Sequence, residues 1–253
     1  MMNQSLQNKV ALVTGGGSGI GRAACMAFAQ AGAKVAVVGR TLQKCERVAN
    51  EISAAGGIAL AIEADVSNSA DVQRAIAGTL EQLSRLDIIF NNAGISPSGS
   101  VTEISEQDWH DCISIDLTSV FLMCKYAIPH MLGRGGVILN TAGTFGMRAA
   151  KGKAAYSAAK AGVINLTRAI ALDYAREDIR SNVICPGFVD TPLTEGFDGP
   201  ARDAFLERHQ PLRGMTTPDE VAALAVYLAG DAAKMITGQA FVIDAGQQAG
   251  LFT

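Results

Sequence analysis

Seven short apolar runs, separated by stretches with helical spacing, constrain the fold of this chain more than any other feature. They are KVALVT (9–14), AKVAVVG (33–39), IALAIEA (58–64), LDIIF (86–90), GVILNT (136–141), RSNVIC (180–185) and QAFVID (239–244). Each is nearly apolar throughout, as expected of a strand covered on both faces. Between them lie segments such as GIGRAACMAFAQAG and DEVAALAVYLAG, which end at Gly32 and Gly230. Strands that alternate with helices imply a parallel sheet with right-handed crossovers, hence a doubly wound α/β/α sandwich. With 253 residues, 49% of them hydrophobic, one domain over 1–253 is expected. The longest irregular stretch, 187–214, holds three prolines and four glycines and reads as a substrate lid with a short helix around Ala201 to Arg208.

The charge balance, 21 basic against 24 acidic residues, leaves no electrostatic footprint for nucleic acid or an anionic membrane. Five widely spaced cysteines (Cys25, Cys45, Cys112, Cys124, Cys185) form no CxxC pair, and no His completes a metal site. They read as reduced thiols of a cytoplasmic protein. The start MMNQSLQNK is polar, and no run reaches the roughly 18 apolar residues of a membrane span.

Directly after the first strand comes TGGGSGIG, Thr14 to Gly21. In such a turn Gly15 permits the tight bend, Gly19 lets the backbone approach a pyrophosphate, and Gly21 allows helix and strand to pack closely. The helix N-terminus then offers free N–H groups and partial positive charge to phosphates. Position after the first strand of an alternating pattern makes this a dinucleotide-binding turn rather than a merely flexible one. At the end of the second strand a carboxylate would bind a ribose 2′-hydroxyl and repel a 2′-phosphate. Here the sequence is VVGRT, with Gly39 where the acid would stand and Arg40 next, a residue suited to a 2′-phosphate. NADP(H) is therefore expected over NAD(H).

TGGGSGIG, ADV (64–66), NNAG (91–94), YSAAK (156–160), PGFVDT (186–191) and ITGQAFVIDAG (236–246) occur in one order. Through them the chain resembles the short-chain dehydrogenases/reductases over essentially its whole length. The resemblance implies a Rossmann-type domain with seven parallel strands, a homotetramer, and a small-molecule carbonyl or alcohol substrate. It also implies a cofactor surface of Gly15, Ser18, Gly19, Ile20, Gly21, Arg40, Asp65, Val66, Asn91, Ala93, Gly94, Pro186, Gly187, Val189 and Thr191, together with Tyr156 and Lys160. Within it Asp65 would lie near the adenine, Asn91 and Gly94 beside a ribose, and Thr191 on the nicotinamide carboxamide.

Tyr156 and Lys160, four residues apart, share one face of a helix. A free Tyr has a pKa of about 10, and a neighbouring ammonium lowers it toward a useful range. Tyr156 could then donate a proton to a carbonyl oxygen as hydride arrives, or accept one in reverse. Lys160 would also serve the ribose hydroxyls, as the resemblance implies.

Two positions depart from the family pattern. The Ser usually found thirteen positions before the Tyr is replaced by Gly143, which has no donor. Thr144 is the preferred substitute, although neighbouring strand residues face opposite ways unless the strand has ended. Thr141 and a bound water are the others. The Asn usual in the preceding helix corresponds to Asp116; a main-chain role would survive, but an ionised side chain near Lys160 would offset the potential that activates Tyr156. These departures motivate a competing reading, a cofactor-binding sensor or structural subunit with little dehydrogenase activity. The substrate cleft is expected between Ile95, Ser96, Phe145, Met147, Arg148, Phe188 and the lid. Arg148, Lys151 and Lys153 form a basic cluster near Tyr156 that would suit an acidic substrate such as a keto acid or acyl group, but they read rather as a solvated helix start. A 3-oxoacyl-thioester reductase, with Arg134 and Arg176 as docking residues, is an alternative on substrate.

Overall fold

A computed structural model describes residues 5–250. All seven runs are strands: β1 (Val10–Thr14), β2 (Lys34–Gly39), β3 (Ala59–Glu63), β4 (Ile88–Asn91), β5 (Gly136–Thr141), β6 (Ile179–Pro186) and β7 (Ala240–Ile243). They form one parallel sheet in the order β3-β2-β1-β4-β5-β6-β7. The helices are α1 (Gly19–Gln30), α2 (Leu42–Ala54), α3 (Ser69–Leu83), α4 (Glu106–Ile113), α5 (Ser119–Ala127), α6 (Thr144–Met147), α7 (Ala154–Tyr174), α8 (Gly199–His209) and α9 (Pro218–Ala229). The short helix expected around Ala201 to Arg208 is α8.

The runs lack polar alternation because each strand feeds two cores. Val13, Val35, Val37 and Phe90 pack with Phe28, Val48, Ile52 and Leu228 of α1, α2 and α9. The intervening residues Leu12, Val38, Ile89 and Ile138 pack with Val72, Ile76, Met123 and Val163 of α3, α5 and α7. Side chains that alternate between two buried faces must all be apolar. From β1 the chain winds outward through β2 and β3, then returns to place β4 on the other side of β1. That reversal opens a crevice at the C-terminal strand ends, where ligands of such sheets bind.

Glycines close two helices in different ways. Gly32, at φ +97°, uses the left-handed freedom only glycine has, whereas Gly230 follows α9 at φ −81° and does not. The stretch Glu106–His130 is helical throughout, with a π-turn at Ser114–Thr118 between α4 and α5. Its most apolar 18-residue window reaches a mean hydropathy of 1.3, enough by length and composition to cross a membrane, although Asp116 and Lys125 interrupt any continuous apolar run. Here 44% of the apolar window is buried within the protein, because Val120, Met123 and Cys124 belong to the core.

A buried polar chain fixes α7 on the sheet. Asn91 Nδ2 donates to Asn140 Oδ1 at 2.8 Å, Asn140 Nδ2 donates to Thr167 Oγ1 at 2.9 Å, and the Thr167 hydroxyl donates to Val163 O. Such satisfied interior networks make an arrangement specific. The helix carrying Tyr156 and Lys160 is thereby registered against β4 and β5.

Candidate active site

The glycine turn has the geometry its spacing requires. Gly15 is left-handed at φ +66°, and a Cβ on Gly21 would lie 2.2 Å from Gly15 O, so any side chain there would force α1 off the turn. Ser18 precedes α1 without its side chain capping the helix, and no acidic residue occupies the first turn. The first N–H groups thus remain open to an anion. Thr14 Oγ1 accepts hydrogen bonds from Asn92 N at 3.0 Å and Ala93 N at 3.2 Å, which fastens the NNAG segment beside this turn.

Above the strand ends runs a cleft of about 400 Å³. Its lining includes Gly15, Ser18, Gly19, Ile20, Arg40, Asp65, Val66, Ala93, Gly94, Asp116, Tyr156, Lys160, Pro186, Gly187, Val189 and Thr191. Asp65 is held in place as its Oδ1 accepts from the Ser67 amide and hydroxyl at 2.9 and 2.7 Å. Two expected residues lie elsewhere. Gly21 stands behind the turn as a packing residue, and Asn91 is buried in the polar chain described above. Strand β4 runs one residue further than its apolar run suggests, so Asn91 pairs in register with Asn140 and Asn92 is the first residue free to face the cleft. Asn92, Ile115, Thr141, Ala142, Leu193 and Thr194 also line it and were not singled out as cofactor contacts from sequence.

Tyr156 and Lys160 project together from the first two turns of α7. Lys160 is buried; its Nζ donates to Thr141 O at 3.1 Å, lies 3.1 Å from Asp116 Oδ2 and stands 5.5 Å from the Tyr156 ring centre. Burial opposes its charge, but the Asp116 carboxylate, with Tyr156, more than offsets this and pushes Lys160 above the ordinary lysine range. Burial likewise pushes Asp116 up against the pull of Lys160 and of the Ile95 amide. Tyr156 is raised too, since burial outweighs Lys160 and Asp116 works in the same direction as burial. Tyr156 keeps an edge open to the cleft, so solvent there moderates the burial effect.

Gly143 directly precedes α6, with extended backbone (φ 167°, ψ 162°) that any residue adopts. A Cβ built on it would stand 3.0 Å from Tyr156 Oη and 3.8 Å from Pro186 O. Position 143 therefore borders the tyrosine hydroxyl so closely that a side chain there would press against it. The strand has ended at Thr141, so strand alternation does not exclude Thr144. Thr144 is nevertheless buried and absent from the cleft lining, while its carbonyl accepts from Gln248 Nε2 at 2.8 Å. Thr141 does line the cleft, with its hydroxyl donated to Asn92 Oδ1 at 3.3 Å.

Outside the cleft lining, four phenylalanines form one cluster. Phe188 stacks at 6.0 Å from Phe145, 4.9 Å from Phe197 and 5.2 Å from Phe205, and His209 lies 4.4 Å from Phe205. Segment 187–214 is pinned at both ends: Thr216 N donates to Phe188 O, Asp190 N to Thr216 O, and Leu212 N to Ala245 O. The basic residues before Tyr156 separate. Arg148 and Lys151 are exposed, but Lys153 Nζ makes 3.0 Å contacts to Ser96 O, Ser96 Oγ and Ser98 Oγ. Lys153 is a latch on the 95–99 loop, not part of a solvated cluster. Met147 is half exposed, and Arg134 and Arg176 lie on the surface.

A parallel sheet with a glycine turn at its reversal point and a Tyr–Lys pair across the crevice defines a dinucleotide-binding oxidoreductase. Residues 15–248 match the protein family described as Enoyl-(Acyl carrier protein) reductase. The chain is 39% identical to a meso-2,3-butanediol dehydrogenase of Serratia marcescens, covering 96% of this chain and 95% of that one. It is also 39% identical to a 3-oxoacyl-[acyl-carrier-protein] reductase of a Synechocystis strain, covering 96% and 98%. A crystal structure of a short-chain type dehydrogenase/reductase from Mycobacterium marinum superposes with a TM-score of 0.93 at 34% identity over 98% of each chain. The chain belongs to the short-chain dehydrogenase/reductase family. It is an NAD(P)-dependent oxidoreductase of the alcohol–ketone class.

Proposed function

We propose that the protein interconverts a ketone and a secondary alcohol with NADP(H), Tyr156 acting as general acid/base and Lys160 as its electrostatic partner. The observation that carries this reading is the convergence of Tyr156, Lys160 and the glycine turn on one cleft. When bound, the nicotinamide supplies or takes the hydride; the chain's own groups handle the proton. In reduction, the Tyr156 hydroxyl gives its proton to the substrate oxygen, and Lys160, held by Thr141 O, steadies the phenolate left behind. Ser18, Gly19 and the α1 N-terminus would hold the phosphates, and Thr191 the carboxamide.

Preference for the 2′-phosphate rests on Arg40, exposed and lining the cleft, and on the start of α2 beside it. Thr41 caps α2 without a side-chain hydrogen bond, the first turn carries no acid, and Lys44 packs against Gly17. Together these leave an open, positively charged helix start where a phosphate would sit.

The aromatic cluster on segment 187–214 favours an apolar substrate under a lid, and a relative from an Acinetobacter strain, 37% identical, is a cyclohexanol dehydrogenase. Acyl-thioester reduction is the second reading, supported by the Synechocystis relative. We further propose a homotetramer, in which exposed Val101, Leu172 and Met235 would find partners. The test is to mix the protein with NADPH or NADH and a panel of cyclic ketones, hydroxyketones and a 3-oxoacyl thioester. Faster oxidation of NADPH by ketones is expected, with Arg40→Ala losing about tenfold in NADPH affinity and little for NADH. NADH serves as more than a control, since a 3-ketoacyl-(acyl-carrier-protein) reductase from Brucella melitensis, 35% identical, was solved complexed with it. Equal use of both cofactors would defeat the NADP(H) assignment.

A further inference from the structure

We propose that Asp116 is a positioning residue: its buried carboxylate, tied to the Ile95 amide, anchors Lys160 and sets the field that the lysine presents to Tyr156. The inference rests on the reading of Tyr156 as the acid/base group.

Asp116 sits at the centre of the π-turn Ser114–Thr118, with no exposed surface. A π-turn inserts an extra residue into the helical ladder and redirects the side chains it carries, here into the cleft wall. Oδ1 accepts the Ile95 amide at 2.8 Å. Oδ2 lies 3.1 Å from Lys160 Nζ but is not aligned for a hydrogen bond and has no other partner. Asp116 therefore joins three parts of the site: the π-turn, the 94–96 loop that Lys153 latches from outside, and the lysine of α7.

The charges around the carboxylate assign its effect. From α7 it faces Lys160 and Tyr156, and from α4, one turn earlier, Cys112; Cys185 of β6 faces Lys160 and Tyr156, and Lys153 faces Cys112. Burial pushes the thiols of Cys112 and Cys185 up to about 12 and about 11, so both stay neutral over the working range. Among the described residues Asp116 is the one carboxylate within ion-pair distance of Lys160. A lone ammonium would favour the phenolate of Tyr156; an ammonium paired with a buried carboxylate presents a much weaker field to it. An asparagine would keep the acceptor for Ile95 and the packing while removing the charge.

The pH profile of alcohol oxidation at saturating cofactor reads the Tyr156 titration, because oxidation needs the phenolate and so rises with pH through its pKa. Asp116→Asn removes a negative charge that opposes phenolate formation, so the limb is expected to move to lower pH by about one unit. Asp116→Glu retains the charge and is expected to titrate close to the unmodified protein. Ultraviolet titration of the phenolate, with Tyr156→Phe subtracted, gives the same shift without requiring turnover. An Asp116→Asn limb that coincides with the unmodified one, or moves up, overturns the proposal while leaving Tyr156 as the acid/base. A limb that persists unchanged in Tyr156→Phe instead overturns the proton-transfer reading, and this inference with it.

Discussion

A Cβ at position 143 would stand 3.0 Å from the Tyr156 hydroxyl, on backbone that imposes no strain on an L-residue. A serine there would add a hydroxyl beside Tyr156, the proposed proton donor. Hydrogen-bond donors aimed at a developing oxyanion are worth roughly 100- to 1,000-fold when removed from sites built around them. With Tyr156 giving by a few tenths of an ångström, Gly143→Ser is expected to fold and to raise kcat for ketone reduction by about tenfold or more; an unchanged rate would contradict a donor role for this position. Position 143, singled out by its spacing from Tyr156, lies beside the tyrosine hydroxyl in the fold. What the spacing could not convey is what surrounds that position. Thr144 is next in sequence but buried outside the cleft, whereas Thr141 faces it and commits its hydroxyl to Asn92. Lys153 shows the same limit: a charge run looks solvated until the 95–99 loop folds over one member of it.

Among the elements, α7 carries Tyr156 and Lys160, and its position depends on polar groups buried beneath the cleft. Asn140 joins Asn91 on β4 to Thr167 on α7, with nothing nearby to replace it except a long 3.7 Å contact from Asn91 to Cys124 Sγ. Asn140→Ala is expected to destabilise the fold by about 2–4 kcal/mol, since it leaves a buried amide donor unpaired and opens a cavity. Denaturant unfolding checks this, and a loss under about 0.5 kcal/mol, the level of ordinary surface substitutions, would contradict it. The strands themselves were legible within two residues, because two-sided burial demands continuous apolar runs. That small uncertainty still mattered at β4, where one extra strand residue decides which asparagine of NNAG enters the core and which meets the cleft. The π-turn was not legible, since WHDCISIDLTSVF carries no pattern that distinguishes a five-residue turn from a regular helix.

For the whole molecule, the alternation of strands and helices determined the sheet, and the reversal between β1 and β4 determined where a ligand can lie. Motifs scattered from Gly15 to Thr191 then converge on one cleft, as a parallel sheet gathers its strand ends on a single side. Segment 187–214 was only half readable: its length and prolines were apparent, but the convergence of Phe188, Phe197 and Phe205 depends on α8 bringing Phe205 against the residues that follow β6. The account stands on proton transfer by Tyr156 within this assembly. Single-turnover oxidation of bound NADPH by a ketone, compared between the unmodified protein and Tyr156→Phe, tests it most directly. A fall of about 100- to 10,000-fold in the rate, with NADPH affinity unchanged, is the predicted result. A Tyr156→Phe protein that reduces the ketone at an undiminished rate would contradict the account.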